Sequence, residues 1–163
     1  MPIRLQPLDL ALLDATAVDA YALFVGQDER PLWGLAGLVD WRLAGGLSDH
    51  LRSAVLQGVV GESFLTTTGG MLPGSRIFAF GLGPAAGITA ESFAARARHA
   101  ALALRGAQVQ SLVVGLPERP PAQASARTLV AALSVLGDLE ISVFGPMPEM
   151  AVALPELASR RAG

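Results

Sequence analysis

The chain opens on an alternation of apolar and polar residues. Ile3 and Leu5 are set against Arg4 and Gln6, and Leu8 closes the run, which predicts a half-buried edge strand over Ile3 to Leu8. Asp9 to Asp14 reads as a short apolar connection, and Val18 to Val25 as a second strand ending at Gly26. The polar loop Gln27-Asp28-Glu29-Arg30-Pro31 follows. The period then changes. Leu35, Val39, Leu43, Leu47, Leu51 and Val55 recur every four residues, with Leu38 beside them, as in an amphipathic helix facing a core. Gly45-Gly46 interrupts this helix at about 1 kcal/mol per glycine relative to alanine. A kink or a break into two helices is therefore predicted, with Gly58 and Gly61 ending the element.

The next stretch organises the rest. Ser63 to Thr68 is β-prone, Gly69-Gly70 and Pro73-Gly74 mark a turn, and Arg76 to Leu82 is apolar at nearly every position. A run of that kind suits a strand buried on both faces. It ends in Gly81-Leu82-Gly83-Pro84. A helix follows from Thr89, a natural N-cap with Glu91 in the first turn. Its buried stripe is Phe93, Ala97, Ala101 and Leu104, and Gly106 stops it. Val109 to Val114 is a strand ending at Gly115, and Leu116 to Pro121 is a loop. A helix over Ala124 to Leu136 turns Leu129, Val130, Leu133 and Leu136 inward, before a last strand, Leu139 to Phe144, that ends at Gly145-Pro146. The order β-β-α-β-β-α-β-α-β predicts an α/β domain with a mixed central sheet and helices on both faces. Residues 1–146 form its body. Residues 147–163, with Met150, Val152, Leu154 and Leu157 interrupted by Pro148 and Pro155, form a C-terminal tail.

Four predicted strands end in glycine: Gly26, Gly83, Gly115 and Gly145. Open α/β sheets bind ligands outside the carboxyl ends of their strands. If these strands are parallel neighbours, the glycines line one crevice rim. Gln27, Asp28, Glu29, Arg30, Glu118 and Arg119 are then its polar groups, with Arg30 and Arg119 as the charged contacts for an acidic metabolite. The plainer alternative is that glycine is an ordinary strand terminator.

Composition narrows the chemistry. Apolar residues make up 52% of the 163, and charged residues only 16%. Either a tightly buried sheet or a surface that meets a partner accounts for that fraction. The net charge is -2, and all twelve basic residues are scattered arginines, so no basic face for nucleic acid is expected. There is no cysteine, which excludes disulfides, thiolate metal sites and a cysteine nucleophile, and fits a cytoplasmic setting. No apolar stretch reaches the roughly 18 residues that span a bilayer. His50 and His99 sit on separate helices without a second ligand, and no metal or other cofactor is expected. Trp33 and Trp41 flank the first long helix and, with Met147 and Met150, are the candidates for contact with a protein partner.

GESFLTTTGGMLPGSRIFAFGLGP, Gly61 to Pro84, and DAYALFVGQDERPLWGLAGLVDWRLAGGLSDHLR, Asp19 to Arg52, carry a resemblance. Together they resemble the N-terminal domain of the M17 leucyl aminopeptidases, whose fold is macro-domain-like. The resemblance implies a three-layer α/β/α sandwich. The metal ligands and catalytic groups of that family lie in a second domain that is not in this sequence. It therefore implies a stand-alone, non-catalytic domain acting as a homo-oligomer or with a protein partner. Recruitment to DNA, known in the family, is opposed here by the acidic balance. Macro domains hold ADP-ribose in the strand-end crevice, and Thr66 to Pro84 is similar to their strand pair that ends in Gly-Pro. Their binding residues have weak counterparts. Phe24-Val25-Gly26-Gln27 lacks asparagine, Asp9 lacks a preceding glycine, and the glycine-rich stretch is reduced to Gly34 and Gly37. The phosphate loop is Gly115-Leu116-Pro117-Glu118-Arg119-Pro120-Pro121, where prolines remove N–H donors and Glu118 repels a diphosphate.

Overall fold

The computed structural model describes residues 2–159. β1 (Ile3–Gln6) is followed by α1 (Leu10–Ala15), where the sequence pattern suggests only a connection. The helix forms because Asp9 caps it, its Oδ1 accepting the Leu12 N–H at 2.7 Å, and because Leu13 is driven into the core. β2 (Ala20–Gly26) is buried throughout. The long four-residue period breaks in two, as the glycine pair requires: α2 (Gly34–Arg42) and α3 (Gly46–Arg52) are separated by Gly45 at φ 84°. Asp40 spans the break, its Oδ1 accepting the N–H groups of Leu47 and Ser48 at 2.9 and 3.0 Å. Leu35, Val39, Leu47 and Leu51 are buried. Val55 lies beyond α3 and is exposed, because the helix stops before the period does.

β3 (Ser63–Thr67) and β4 (Arg76–Gly83) form an antiparallel pair. α4 (Ala90–Gly106) starts at the Thr89 cap, where Thr89 and Ser92 satisfy each other's N–H groups. β5 (Ser111–Gly115), α5 (Ala122–Leu133) and β6 (Glu140–Phe144) follow. Within the expected tail, residues 147–158 form two short helices, α6 (Met147–Ala153) and α7 (Pro155–Ala158). Met150, Ala153 and Leu154 of this segment are buried in the core, while residues 160–163 lie outside the described residues.

The six strands make one sheet in the order β1-β6-β5-β2-β4-β3. All neighbours are parallel except β3, which runs antiparallel at one edge. One face packs on α4, α5 and α6 through Phe24, Phe80, Phe93, Leu129 and Met150. The other packs on α1, α2 and α3 through Tyr21, Leu23, Leu35, Leu47 and Ile77. The architecture is thus a three-layer α/β/α sandwich around a mixed sheet. At the amino ends of the strands, Asp19 ties three of them together. Its Oδ2 accepts from Arg76 Nη2 at 2.6 Å and from the Gln110 N–H at 2.8 Å, and its own N–H donates to Ser111 Oγ at 2.8 Å. No helix among the described residues is long and apolar enough to cross a membrane.

Candidate functional site

Because β6, β5, β2 and β4 are parallel neighbours, their carboxyl ends share one side of the sheet. Gly26 lies in register with Gly83, Gly115 is in register with Phe144, and Gly145 follows directly. The glycines do line one rim. Most of their bare Cα positions, however, face the chain itself. A Cβ on Gly115 would lie 2.5 Å from Leu35 Cβ, and one on Gly83 would lie 2.5 Å from Val60 Cγ2. A Cβ on Gly145 would meet Leu116 Cδ1 and Met150 Sδ, each at 3.0 Å. The segment Gly58 to Val60 passes over the end of β4: Gly83 N–H donates to Gly58 O at 2.8 Å, and a Cβ on Gly81 would sit 1.9 Å from Val59 O. These glycines serve close packing of the chain against its own strand ends.

What stays open is a cleft of about 150 Å3 lined by Gly26, Asp28, Glu29, Leu82, Glu118 and Arg119 among others. Ligand pockets usually measure about 300–1,000 Å3. The cleft's charge is also adverse to an anion, with three carboxylates and one guanidinium among its lining groups. Asp28 is already used, its Oδ1 accepting the Ala85 N–H at 3.0 Å. Glu29 Oε2 accepts the Trp33 N–H at 3.0 Å. Burial pushes the Glu29 carboxyl above its ordinary range and the nearby Glu118 charge adds to this, against the N–H groups of Trp33 and Gly26 and the Arg30 charge, which favour the carboxylate. Past Ile88, Glu118 and Arg119 the cleft opens onto a shallower hollow of about 530 Å3 walled by Thr89, Ala90, Pro120 and Pro121.

The fold therefore brings together Gly26, Asp28, Glu118 and Arg119, with Gly83 registered beside Gly26. It does not bring in the others. Gln27 donates its backbone N–H to Gly83 O at 2.9 Å, but its side chain is exposed and outside the cleft lining. Arg30 turns its Nη1 to Glu29 O at 2.6 Å and also lies outside it. Gly115 is covered by Leu35. Asp9 is a helix cap.

The contact candidates separate in the same way. Trp41 is 73% exposed, beside a hollow of about 670 Å3 that includes Pro31, Leu32, Gly37 and Ala44, whereas Trp33 is only 38% exposed. Met147 is half-buried against the core, and Met150 is fully buried within it, so Met150 has no surface to offer a partner. Its burial follows from α6 folding back over Gly145, which no periodicity announced. Histidines remain apart: His99 Nε2 lies 2.8 Å from Ser63 Oγ, and His50 packs on Phe64. Among the described residues no group of three or more His, Asp or Glu side chains is placed to hold a metal ion.

Sequence reasoning missed two residues that shape the rim. Leu35 was legible as a core position but not as the group that covers Gly115. Glu62 holds the Gly58–Val60 crossing in place, its Oε1 accepting the N–H groups of Gly58 at 2.6 Å and Gln57 at 3.0 Å. The available signal was an acid beside glycines at a chain reversal.

Comparison with known proteins agrees with this architecture. No curated protein sequence matches the chain. Among solved structures, the macrodomain of Mycobacterium tuberculosis DarG is similar with a TM-score of 0.68 at 16% identity, over 88% of this chain and 97% of that one. The Trypanosoma brucei macrodomain in complex with ADP gives 0.67 at 18% identity, over 93% and 67%. The K354E mutant of tomato leucine aminopeptidase gives 0.63 at 19% identity, over 97% of this chain but only 36% of the plant enzyme. At such identities the likeness is one of fold. The family model described as "Cytosol aminopeptidase family, N-terminal domain" matches residues 22–137, most of the three-layer body, and the chain belongs to that M17 N-terminal domain family.

Proposed function

We propose that this domain is non-catalytic and works through protein contact, in oligomer assembly or with a separate partner, in the cytoplasm. One observation carries the reading. The strand-end rim is packed by Leu35, Val60, Leu116 and Met150, which leaves against the strand ends themselves a cleft of about 150 Å3 lined by three carboxylates and one guanidinium. A dinucleotide-like ligand needs backbone donors and room at such a rim. Apolar side chains meanwhile stand on the surface, Trp41, Leu65 and Met71 among them. The test is calorimetric titration of the purified protein with ADP-ribose, with its mass measured by light scattering. No heat and a mass above the 16.8 kDa of one chain are expected.

A second reading, a module for a nucleotide or ADP-ribose-like metabolite, is favoured by the hollow that continues the cleft past Arg119 and by the likeness to a macrodomain crystallised with ADP. Micromolar binding that weakens in Arg119→Ala would establish it and displace the first.

A further inference from the structure

The two edges of the sheet are finished differently. β1 is four residues long and lies between Pro2 and Pro7. It carries Arg4, whose Nη2 is 3.0 Å from Glu140 Oε1 of the neighbouring β6, and both α6 and α7 pack against it. Charge, flanking proline, short length and a cover are the means by which sheet edges avoid pairing with another chain. β3 lacks the first two. Its five residues, Ser-Phe-Leu-Thr-Thr, hold no charge and no proline, and Ser63, Leu65 and Thr67 are exposed.

The ladder to β4 determines which backbone groups are left over. Gly81 N–H donates to Glu62 O and Thr68 N–H donates to Ser75 O, each at 3.0 Å. Hydrogen-bonded positions alternate along an antiparallel pair. Phe64 and Thr66 therefore bond toward β4, and the N–H and C=O groups of Ser63, Leu65 and Thr67 point out at the free edge. In β-structure such groups are an unfinished strand.

We infer that β3 is the pairing edge of a two-fold dimer of this chain, antiparallel to β3 of a second copy, with Leu65 opposite Leu65 on the axis. The inference rests on the assembly reading above and supplies its surface. The strand fits itself in this register. Ser63 falls opposite Thr67 and Phe64 opposite Thr66, so a hydroxyl pair and an aromatic–β-branched pair form, both favoured across strands. Every outward backbone group finds a partner, giving about six new hydrogen bonds across the axis. No like charges meet. The same register carries the exposed Val60, at one end of the strand, toward the exposed Met71 of the second copy; they are 55% and 57% exposed, and Leu65 is 58% exposed. The result is a sheet continuous through both copies. An unrelated extended peptide could use the same backbone groups, but it has no reason to match these side chains.

Light scattering across the micromolar range tests the dimer, and the full chain is expected at twice 16.8 kDa. Leu65→Lys places like charges opposite each other on the axis and is expected to give a monomer with an unchanged circular dichroism spectrum. Leu65→Pro is the second variant: it removes only an outward N–H, so the β3–β4 ladder survives while the dimer is lost. Cysteine substitution reads the register, because the chain has no cysteine of its own. Directly opposed positions sit about 5.5 Å apart between Cα atoms, within disulfide reach. Leu65→Cys should therefore link two copies on mild oxidation. Ser63→Cys should not, since its two copies are about 13 Å apart along the strand. A monomer throughout, with no linked product at position 65, overturns the dimer. A dimer that survives both Leu65→Lys and Leu65→Pro overturns the edge alone and leaves assembly to another surface.

Discussion

The carboxyl rim of the sheet and its β3 edge lie one strand apart, and they treat bare backbone in opposite ways. At the rim, three strands end in glycine and a fourth is followed directly by one, and the chain covers most of what those glycines expose. Leu35 lies on Gly115, Val60 on Gly83, and Leu116 with Met150 on Gly145. At the edge, residues with full side chains leave N–H and C=O groups pointing outward, while the Ser63 side chain is held by His99 and the Thr67 hydroxyl accepts the Gly69 N–H. A strand-end glycine is thus a signal of close approach, and the approaching group can be the chain itself. What marks an available surface is backbone or space that the fold has not already used.

Substitutions at the rim and at the edge test the two treatments of bare backbone separately. Leu35→Ala cuts back one buried cover of the rim and is expected to cost about 2–5 kcal/mol, a cavity as well as lost burial. It should also trim the cover over Gly115, taking away Cγ and Cδ2 while the Leu35 Cβ, the atom nearest that glycine, stays. If ADP-ribose then binds at micromolar concentration, packing alone had closed the site. If it does not, the remaining Leu35 Cβ contact and the carboxylates of Asp28, Glu29 and Glu118 still exclude it. Gly81→Ala drives a Cβ toward the Val59 carbonyl, where no flexible side chain can yield. About 3 kcal/mol should be lost, seen as a lower melting temperature.

Asp19, at the opposite end of the strands, gives a smaller effect with a defined pH window. Burial by itself would raise its carboxyl, but the hydrogen bonds from Arg76 and from the Gln110 N–H, with the Arg76 charge, hold it below its ordinary value. A carboxyl with a depressed folded pKa contributes stability above its unfolded value, about 3.9. That contribution is lost as pH falls through the folded value. Asp19→Asn should cost roughly 1–2 kcal/mol at pH 7. Melting as a function of pH should show the native chain losing more stability than the variant below about pH 5. Leu65→Lys is the smallest change for the single copy, within about 0.5 kcal/mol, because the position is exposed. Its melting temperature at concentrations too low for dimer should match that of the native chain.

Most of the elements, and their layering on both faces of a sheet, follow from the local pattern of the chain. Strand and helix periods differ, and both are written locally, so β4 as a doubly buried strand, the Thr89 cap and the break at Gly45 were all legible. The resemblance carried by Gly61 to Pro84 placed the family correctly. α1 was missed because a six-residue helix held by one cap leaves too short a period to read. Val55 was over-read because a period persists in sequence after the helix that used it has ended. The site was legible only in part. Glycines at strand ends could be seen, and parallel strands did align them on one rim. Which side chain would cover each glycine is a contact between residues far apart in sequence, such as Leu35 with Gly115 or Val60 with Gly83, and it is set only once the layers pack. The same holds for Met150, drawn into the core by a helix that folds back, and for β3, whose sequence shows a strand but not which of its edges is left without a neighbour. Local pattern sets what each segment buries; the order of strands in the sheet sets what is left to bury it against.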